Sequence, residues 1–174
     1  MSNLEWFRSE WVWGKSNGGG FLNANRQQLK RHENIVVFSE KQTLYNPQKT
    51  TGKPYTRQSS LAGETTQDQS VAGYVTVSDG SRFPTSILNF SNQTGLHPTQ
   101  KPVPLFEYLI KTYTNEGALV LDNCAGSGTT GIAALNTSRN YLCIEKEEKY
   151  IDVINKRIGD WHLNMSRDLT TVDN

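Results

Sequence analysis

Residues 122–131 read Asp-Asn-Cys-Ala-Gly-Ser-Gly-Thr-Thr-Gly, directly after the apolar run Ala118–Leu121. Gly126, Gly128 and Gly131 satisfy the spacing G-x-G-x-x-G. Glycine lets a backbone turn sharply and approach a ligand closely, and the first turn of a following helix offers unpaired N–H groups to an anion. Glu145 follows Gly126 by nineteen positions and ends the next apolar run, Tyr141–Ile144. A carboxylate at that place can accept hydrogen bonds from both hydroxyls of a ribose. A tight turn with no ligand explains the glycines alone. With a strand before, a helix after and the acid beyond, the pattern asks for an anionic group joined to a ribose.

The type of nucleotide follows from what surrounds the glycines. A phosphate-binding P-loop is excluded, because no Gly-Lys-Ser/Thr follows. In a dinucleotide fold the first glycine stands one or two residues past the strand, whereas here Asn123, Cys124 and Ala125 separate Asp122 from Gly126. The longer loop suits S-adenosylmethionine, whose amino acid end needs room and whose carboxylate can sit at the helix start. A dinucleotide site in an NAD-dependent oxidoreductase is the alternative.

The elements that must hold the site are legible on either side of it. Pro102–Thr114 opens on proline and places Leu105, Tyr108, Leu109 and Thr112 near helical spacing. Ala118–Leu121 reads as a strand, Thr129–Leu135 as a helix and Tyr141–Ile144 as a second, buried strand. Glu147–Ile158 reads as a helix with Tyr150, Ile151, Ile154 and Ile158 on one face. That alternation predicts parallel pairing of the two strands and an α/β fold. Upstream, Glu10–Gly14 alternates like a strand, Asn17–Gly20 is a loop and Ile35–Phe38 is a short apolar run. Val75–Val77 and Phe83–Phe90, joined through Ser78-Asp79-Gly80-Ser81, read as a hairpin with Asp-Gly turn chemistry. Residues 46–70 read as an exposed or mobile loop.

Four segments result. Residues 1–41 are an aromatic-rich strand and loop part. Residues 42–96 are an insertion, and the stretch 42–100 holds only 15 apolar residues among 59, which is why it stands apart. Residues 97–161 are the strand–helix–strand–helix part, and 162–174 a polar tail expected to fray.

His97-Pro98-Thr99-Gln100-Lys101-Pro102, the helix behind it, the run VLDNCAGSGTTG and the strand ending Ile144-Glu145-Lys146 together resemble a known family. It is that of the DNA methyltransferases that alkylate exocyclic amines, the N-4 cytosine and N-6 adenine enzymes whose cofactor motifs follow the catalytic ones. Trp11-Val12-Trp13, Gly20-Phe21, Arg26, Arg31-His32-Glu33 and Val37-Phe38 resemble the family's segment just past its catalytic region, so the likeness spans most of residues 9–158. The resemblance implies a Rossmann-like, S-adenosylmethionine-dependent methyltransferase fold, with the strands that carry the catalytic motif absent from this chain.

Carried over residue by residue, it implies that Thr99, Gln100 and Lys101 lie beside the methionine end of S-adenosylmethionine. Asp122, Asn123, Cys124, Gly126, Ser127, Gly128, Thr129 and Thr130 would form the cofactor loop, and Glu145 would take the ribose. Asn123 and Cys124 depart from the proline and the aromatic residue usual in the family. His97 and His32 read as loop-capping or packing histidines, since neither has neighbouring ligands for a metal. The family places target recognition where 42–96 falls, and there Lys49, Lys53, Arg57 and Arg82 can meet phosphates and bases of double-stranded DNA.

The motif that does the chemistry in this family is Asp/Asn/Ser-Pro-Pro-Tyr/Phe, which grips the amine of an extruded base. This sequence does not contain it. Tyr45-Asn46-Pro47-Gln48 comes nearest and lacks the second proline and the aromatic residue. The expectation is therefore a truncated, restriction-modification or phage-related methyltransferase, inactive alone. A second polypeptide or a second copy would then cover the sheet edge left open. A non-catalytic S-adenosylmethionine- or DNA-binding module is the other reading.

Composition agrees. The 174 residues make about one domain, and two cysteines are too few for a disulfide framework or a four-ligand zinc site. No apolar run approaches the roughly eighteen residues of a membrane span, and the start lacks a leader pattern, so a cytoplasmic location is expected. The net charge of +1 divides unevenly: 1–101 carry 11 Lys/Arg against 7 Asp/Glu, and 102–174 carry 7 against 10. A polyanion would meet the first part.

Overall fold

The computed structural model describes residues 4–58 and 75–170. In chain order the strands are β1 (Phe7–Gly19), β2 (Lys30–Phe38), β3 (Thr50–Thr51), β4 (Tyr55–Gln58), β5 (Val75–Ser78), β6 (Ser81–Arg82) and β7 (Ile87–Asn89). Then come α1 (Val103–Tyr113), β8 (Leu119–Asp122), α2 (Thr129–Asn136), β9 (Asn140–Cys143) and α3 (Glu148–Thr170). Two units divide the chain: Met1–Asn46 with Thr85–Asn174, and Pro47–Pro84.

In the first unit β1 is the middle strand of the order β2-β1-β7, antiparallel to β2 and parallel to β7. The alternation along β1 turns Trp11 and Trp13 to the same face, where both are buried with Leu88 and Leu105. Neither indole N–H is left unpaired. Trp11 donates to the Tyr113 hydroxyl at 2.7 Å and Trp13 to the Phe90 carbonyl at 2.8 Å. Helix α1 starts after Pro102, its first N–H received by the Gln93 side chain at 3.0 Å. One turn of α1 places Leu105 in the tryptophan cluster. Further along, Ile110 enters a second cluster with Ala133 and Ala134 of α2, against Val120 and Tyr141.

Strands β8 and β9 pair in parallel, Leu119 with Asn140 through Asp122 with Cys143, as the strand–helix order requires. They are not buried strands, however. Val120 and Tyr141 face the helices, while Leu119, Leu121, Leu142 and Ile144 are exposed. Among the described residues no helix covers that side, where a parallel sheet normally has a second helical layer. Among the described residues β8 has one neighbour, β9, so its other edge is open.

Three other expectations are corrected. Helix α3 does not end near 158 but runs to Thr170, so the expected tail is helical there; 171–174 lie outside the described residues. On its apolar face Ile154 is buried, while Ile151 is exposed. Val75–Val77 do not form a hairpin with Phe83–Phe90. Instead β5 pairs with β4 and β6 with β3, all within the second unit, while β7 joins β1 in the first.

The Asp-Gly turn forms, with the Asp79 carboxylate accepting the Ser81 N–H at 2.7 Å, but it redirects the chain instead of doubling it back. Gly80 has φ +96 and lies so close to Gly52 that an added Cβ would sit 2.2 Å from the Gly52 carbonyl oxygen. The stretch 46–70 is likewise not all loop, since β3 and β4 fall within it; 59–70 lie outside the described residues.

Candidate functional site

The Asp122–Thr130 turn is held at both ends by one side chain. Asp122 ends β8, and its carboxylate accepts the Cys124 N–H at 3.0 Å and the Thr130 hydroxyl at 2.5 Å. The chain then turns through Gly126 (φ +53) and Gly128 (φ +75), both left-handed. These glycines answer to packing as well as to turning. A Cβ on Gly128 would lie 2.9 Å from Ile154 of α3, and one on Gly126 would lie 3.4 Å from the His97 ring. Gly131 sits on α2 against Cys143 and Tyr141 of β9, so the third glycine of the pattern lets helix and strand approach.

Glu145 closes the turn from the other side. Its Oε2 accepts the Gly126 N–H at 2.7 Å, and its Oε1 accepts those of Lys146 and Glu147 at 2.8 and 3.0 Å. The Glu147 and Gly126 donors, helped by Lys146 and His97, hold the carboxyl below the ordinary carboxylate range. The group is therefore charged at neutral pH. A carboxylate has about four acceptor positions, so three backbone donors leave one, on Oε2.

Residues 97–101 lie beside the turn. His97 accepts the Thr99 N–H at 3.2 Å through Nδ1, and its ring rests on Tyr150 with centroids 4.3 Å apart. It caps and packs. Gln100 accepts the Leu96 N–H at 3.1 Å, leaving its amide N–H groups for other partners. The Lys101 carbonyl accepts the Thr129 hydroxyl at 3.2 Å, which ties this loop to the start of α2. Between the loops lies a cavity of about 480 Å³. Thr99, Gln100 and Lys101 form one wall, Asp122, Cys124, Gly126, Ser127, Thr129 and Thr130 another. Phe106, Leu109 and Ile110 of α1 supply an apolar floor. Of the expected residues, Asn123 and Gly128 do not line it; Asn123 is exposed and Gly128 is buried behind the turn. Glu145 reaches it only through its bond to Gly126.

Two features were not read from the sequence. Lys101 forms an ion pair with Glu33 of β2 at 3.1 Å, and Lys15 of β1 pairs with the other oxygen of the same carboxylate. Burial pushes the Glu33 carboxyl up, but the hydrogen bonds from Lys15 and Lys101 outweigh it and hold the group below its ordinary range. Both ammonium groups also face the Trp13 ring. The second feature is Arg157, which reaches from α3 to the Ser127 carbonyl at 2.5 Å. Half-buried, its guanidinium brings positive charge to the back of the turn, and burial lowers its pKa. Its signal was an arginine inside the apolar stripe of Tyr150, Ile154 and Ile158.

Asn46, the nearest approach to an amine-gripping residue, is placed elsewhere. Its amide donates to the Lys111 and Thr114 carbonyls at 3.2 Å and closes the end of α1. The four basic residues expected to meet DNA all lie in the second unit. Lys49 stacks over Phe83 at 4.3 Å, and Lys53 and Arg57 are exposed. Arg82 is largely structural: it covers the Tyr55 ring and donates to the Lys53 carbonyl at 2.7 Å.

A strand, a glycine turn, a charged acid at the next strand end and a facing cavity are an arrangement that can take a nucleotide-type ligand on an α/β frame. A family model described as DNA methylase matches residues 2–156, and the chain belongs to that family. It is 41% identical over 76 residues to the type II methyltransferase M.BglI of Bacillus subtilis, which is 44% of this chain and 22% of that protein. It is 44% identical over 64 residues to M2.DpnII of Streptococcus pneumoniae, covering 37% and 24%. Among solved structures, the M1.HpyAVI–SAM complex superposes with TM-score 0.58 at 25% identity, over 87% of this chain and 62% of that one. The PvuII cytosine-N4-specific DNA methyltransferase gives 0.58 at 18%, over 86% and 50%. The chain thus spans less than two thirds of the length of each of these four proteins. Its fold is that of the S-adenosylmethionine-dependent methyltransferases, with β9 the one neighbour of β8 among the described residues.

Proposed function

We propose that the cavity between residues 97–101 and the glycine turn binds S-adenosylmethionine, and that the chain belongs to an enzyme methylating an exocyclic amine of adenine or cytosine in duplex DNA. The observation that carries this reading is the shared wall: the HPTQK loop and the Asp122–Thr130 turn face one cavity and are joined through Thr129 and Lys101.

The donor set fits that cofactor. Glu145, ionised and with one acceptor position left on Oε2, would hold one ribose hydroxyl instead of the two expected from sequence. The start of α2, backed by Arg157, would hold the carboxylate. Thr99 and Gln100 would orient the amino acid end, and the apolar floor from α1 would exclude water. Lys101 would act close to its Glu33 partner, not as a free cation. S-adenosylmethionine supplies an electrophilic methyl group on its sulfonium. Asn123, Cys124 and Gly128 would serve the turn's shape.

The second unit, with Lys49, Lys53 and Arg57 exposed, would contribute to target recognition. The grip on the amine would come from a Pro-Pro-containing segment set against the open edge of β8, on a second polypeptide or another part of the same protein. The test is transfer of tritiated methyl groups from S-adenosylmethionine to duplex DNA, by this chain alone and after mixing with a polypeptide carrying that segment. Label in N6-methyladenine or N4-methylcytosine only in the mixture supports the whole reading. No label in either would reduce the chain to a binding module.

A further inference from the structure

The two most exposed large apolar side chains among the described residues are neighbours, Phe21 at 80% and Leu22 at 99%. They stand at the tip between β1 and β2, and the tip is built rather than loose. Gly20, left-handed at φ +89, starts a single turn of 3-10 helix over Phe21–Asn23. Asn23 and Ala24 N–H close it onto Gly20 and Phe21 at 2.9 and 3.0 Å, and Arg26 and Gln27 N–H both return to Asn23. The turn points two apolar side chains into water and holds them there.

Charge surrounds them. From Lys15 to Arg31 the chain carries Lys15, Arg26, Lys30 and Arg31 and no aspartate or glutamate, and Arg26 and Lys30 are exposed. The tip also lies at the site end of the hairpin. Glu33, in the pair next to the last regular one, bonds Lys101 at the cavity wall, and Lys15, the residue after that last pair, bonds the same carboxylate.

We propose that the β1–β2 tip is a duplex-DNA contact in which Phe21 and Leu22 enter the base stack while Arg26 and Lys30 hold neighbouring phosphates. The inference rests on the DNA-methylating reading of the cavity and deepens it. Chemistry on a base amine requires the base to leave the stack, and an apolar wedge from the enzyme can fill the gap so created. Apolar tip and acid-free basic flanks together match a polyanion with a hydrophobic interior, which is the make-up of duplex DNA.

The test is fluorescence anisotropy of this full chain with two short labelled duplexes, one intact and one with an abasic site, across a salt series. Wild type is expected to favour the abasic duplex. Phe21→Ala with Leu22→Ala should weaken binding to it roughly 5- to 100-fold and erase the preference, leaving the salt slope unchanged. Arg26→Ala and Lys30→Ala should each lower that slope by about 0.9. Calorimetry with S-adenosylmethionine runs beside each variant, and unchanged cofactor binding shows that the fold and the cavity are intact. Equal affinity of wild type and the double variant for both duplexes overturns the proposal. So does cofactor binding by wild type without DNA binding, or tip-dependent binding to anionic vesicles in place of duplex. Absence of both cofactor and DNA binding overturns the underlying function as well.

Discussion

Two turns in this molecule share one local recipe and differ in what holds them. Asp122 and Asp79 each accept the N–H two residues on, and each turn contains a left-handed glycine whose missing Cβ admits a neighbour. At Gly80 the neighbour is the Gly52 backbone, one strand away in the same small unit. At Gly128 it is Ile154 of α3, and the turn is bonded besides to Glu145, Lys101 and Arg157 from three different places in the chain. A turn signature in a sequence reports local geometry. Function depends on the distant groups that converge on it.

The largest effect expected on the cofactor turn is from Gly128→Val. It forces a β-branched residue into a left-handed conformation and pushes its Cβ to 2.9 Å from Ile154, for a loss of roughly 2–5 kcal/mol. Denaturant unfolding should show it, and hydrogen exchange should locate the loss in α3 and the turn. Gly80→Val should break the β3–β6 pairing and leave exchange in α3 and cofactor binding as in wild type. If both variants melt the same residues, the difference between the turns is not real.

Arg157→Met comes next. It removes a charged donor from the Ser127 carbonyl and should cost about 1–3 kcal/mol. It should also weaken S-adenosylmethionine binding by more than its effect on melting explains, which calorimetry would read. Conversely, Arg82→Met in the second unit should leave cofactor affinity untouched.

The smallest effect is on pH. The Glu33 and Glu145 carboxyls are both lowered, so the stability they give is fully present above the unfolded glutamate pKa, near about 4.3, and is lost as pH falls through the folded values below it. Glu33→Gln should flatten the acid limb of a stability-against-pH curve. An unchanged limb would show that the Lys15–Glu33–Lys101 cluster is screened by solvent.

The first unit's centre was largely legible. Glycine spacing, apolar runs and a proline-led helix are local signals, and they located α1, β8, α2 and β9 to within a residue or two. What escaped depends on distance along the chain. Glu33 and Lys101 are far apart in sequence, and nothing local marks them as partners. The Asp79-Gly80 turn was recognised, but the choice of β4 over the following strand as partner for β5 is a long-range pairing that no period encodes. The apolar runs of β8 and β9 predict burial on both faces, as is usual in parallel sheets, whereas one face is exposed. Helix α3 outran its apolar stripe because its last turns are polar, and polarity alone does not end a helix.

The most direct measurement is calorimetric titration of this chain with S-adenosylmethionine, with NAD in a matched run and Glu145→Gln as the comparison variant. Saturable S-adenosylmethionine binding, weakened in Glu145→Gln and absent with NAD, is the expected result. Preference for NAD, or S-adenosylmethionine binding that is indifferent to Glu145, would contradict the assignment of the cavity.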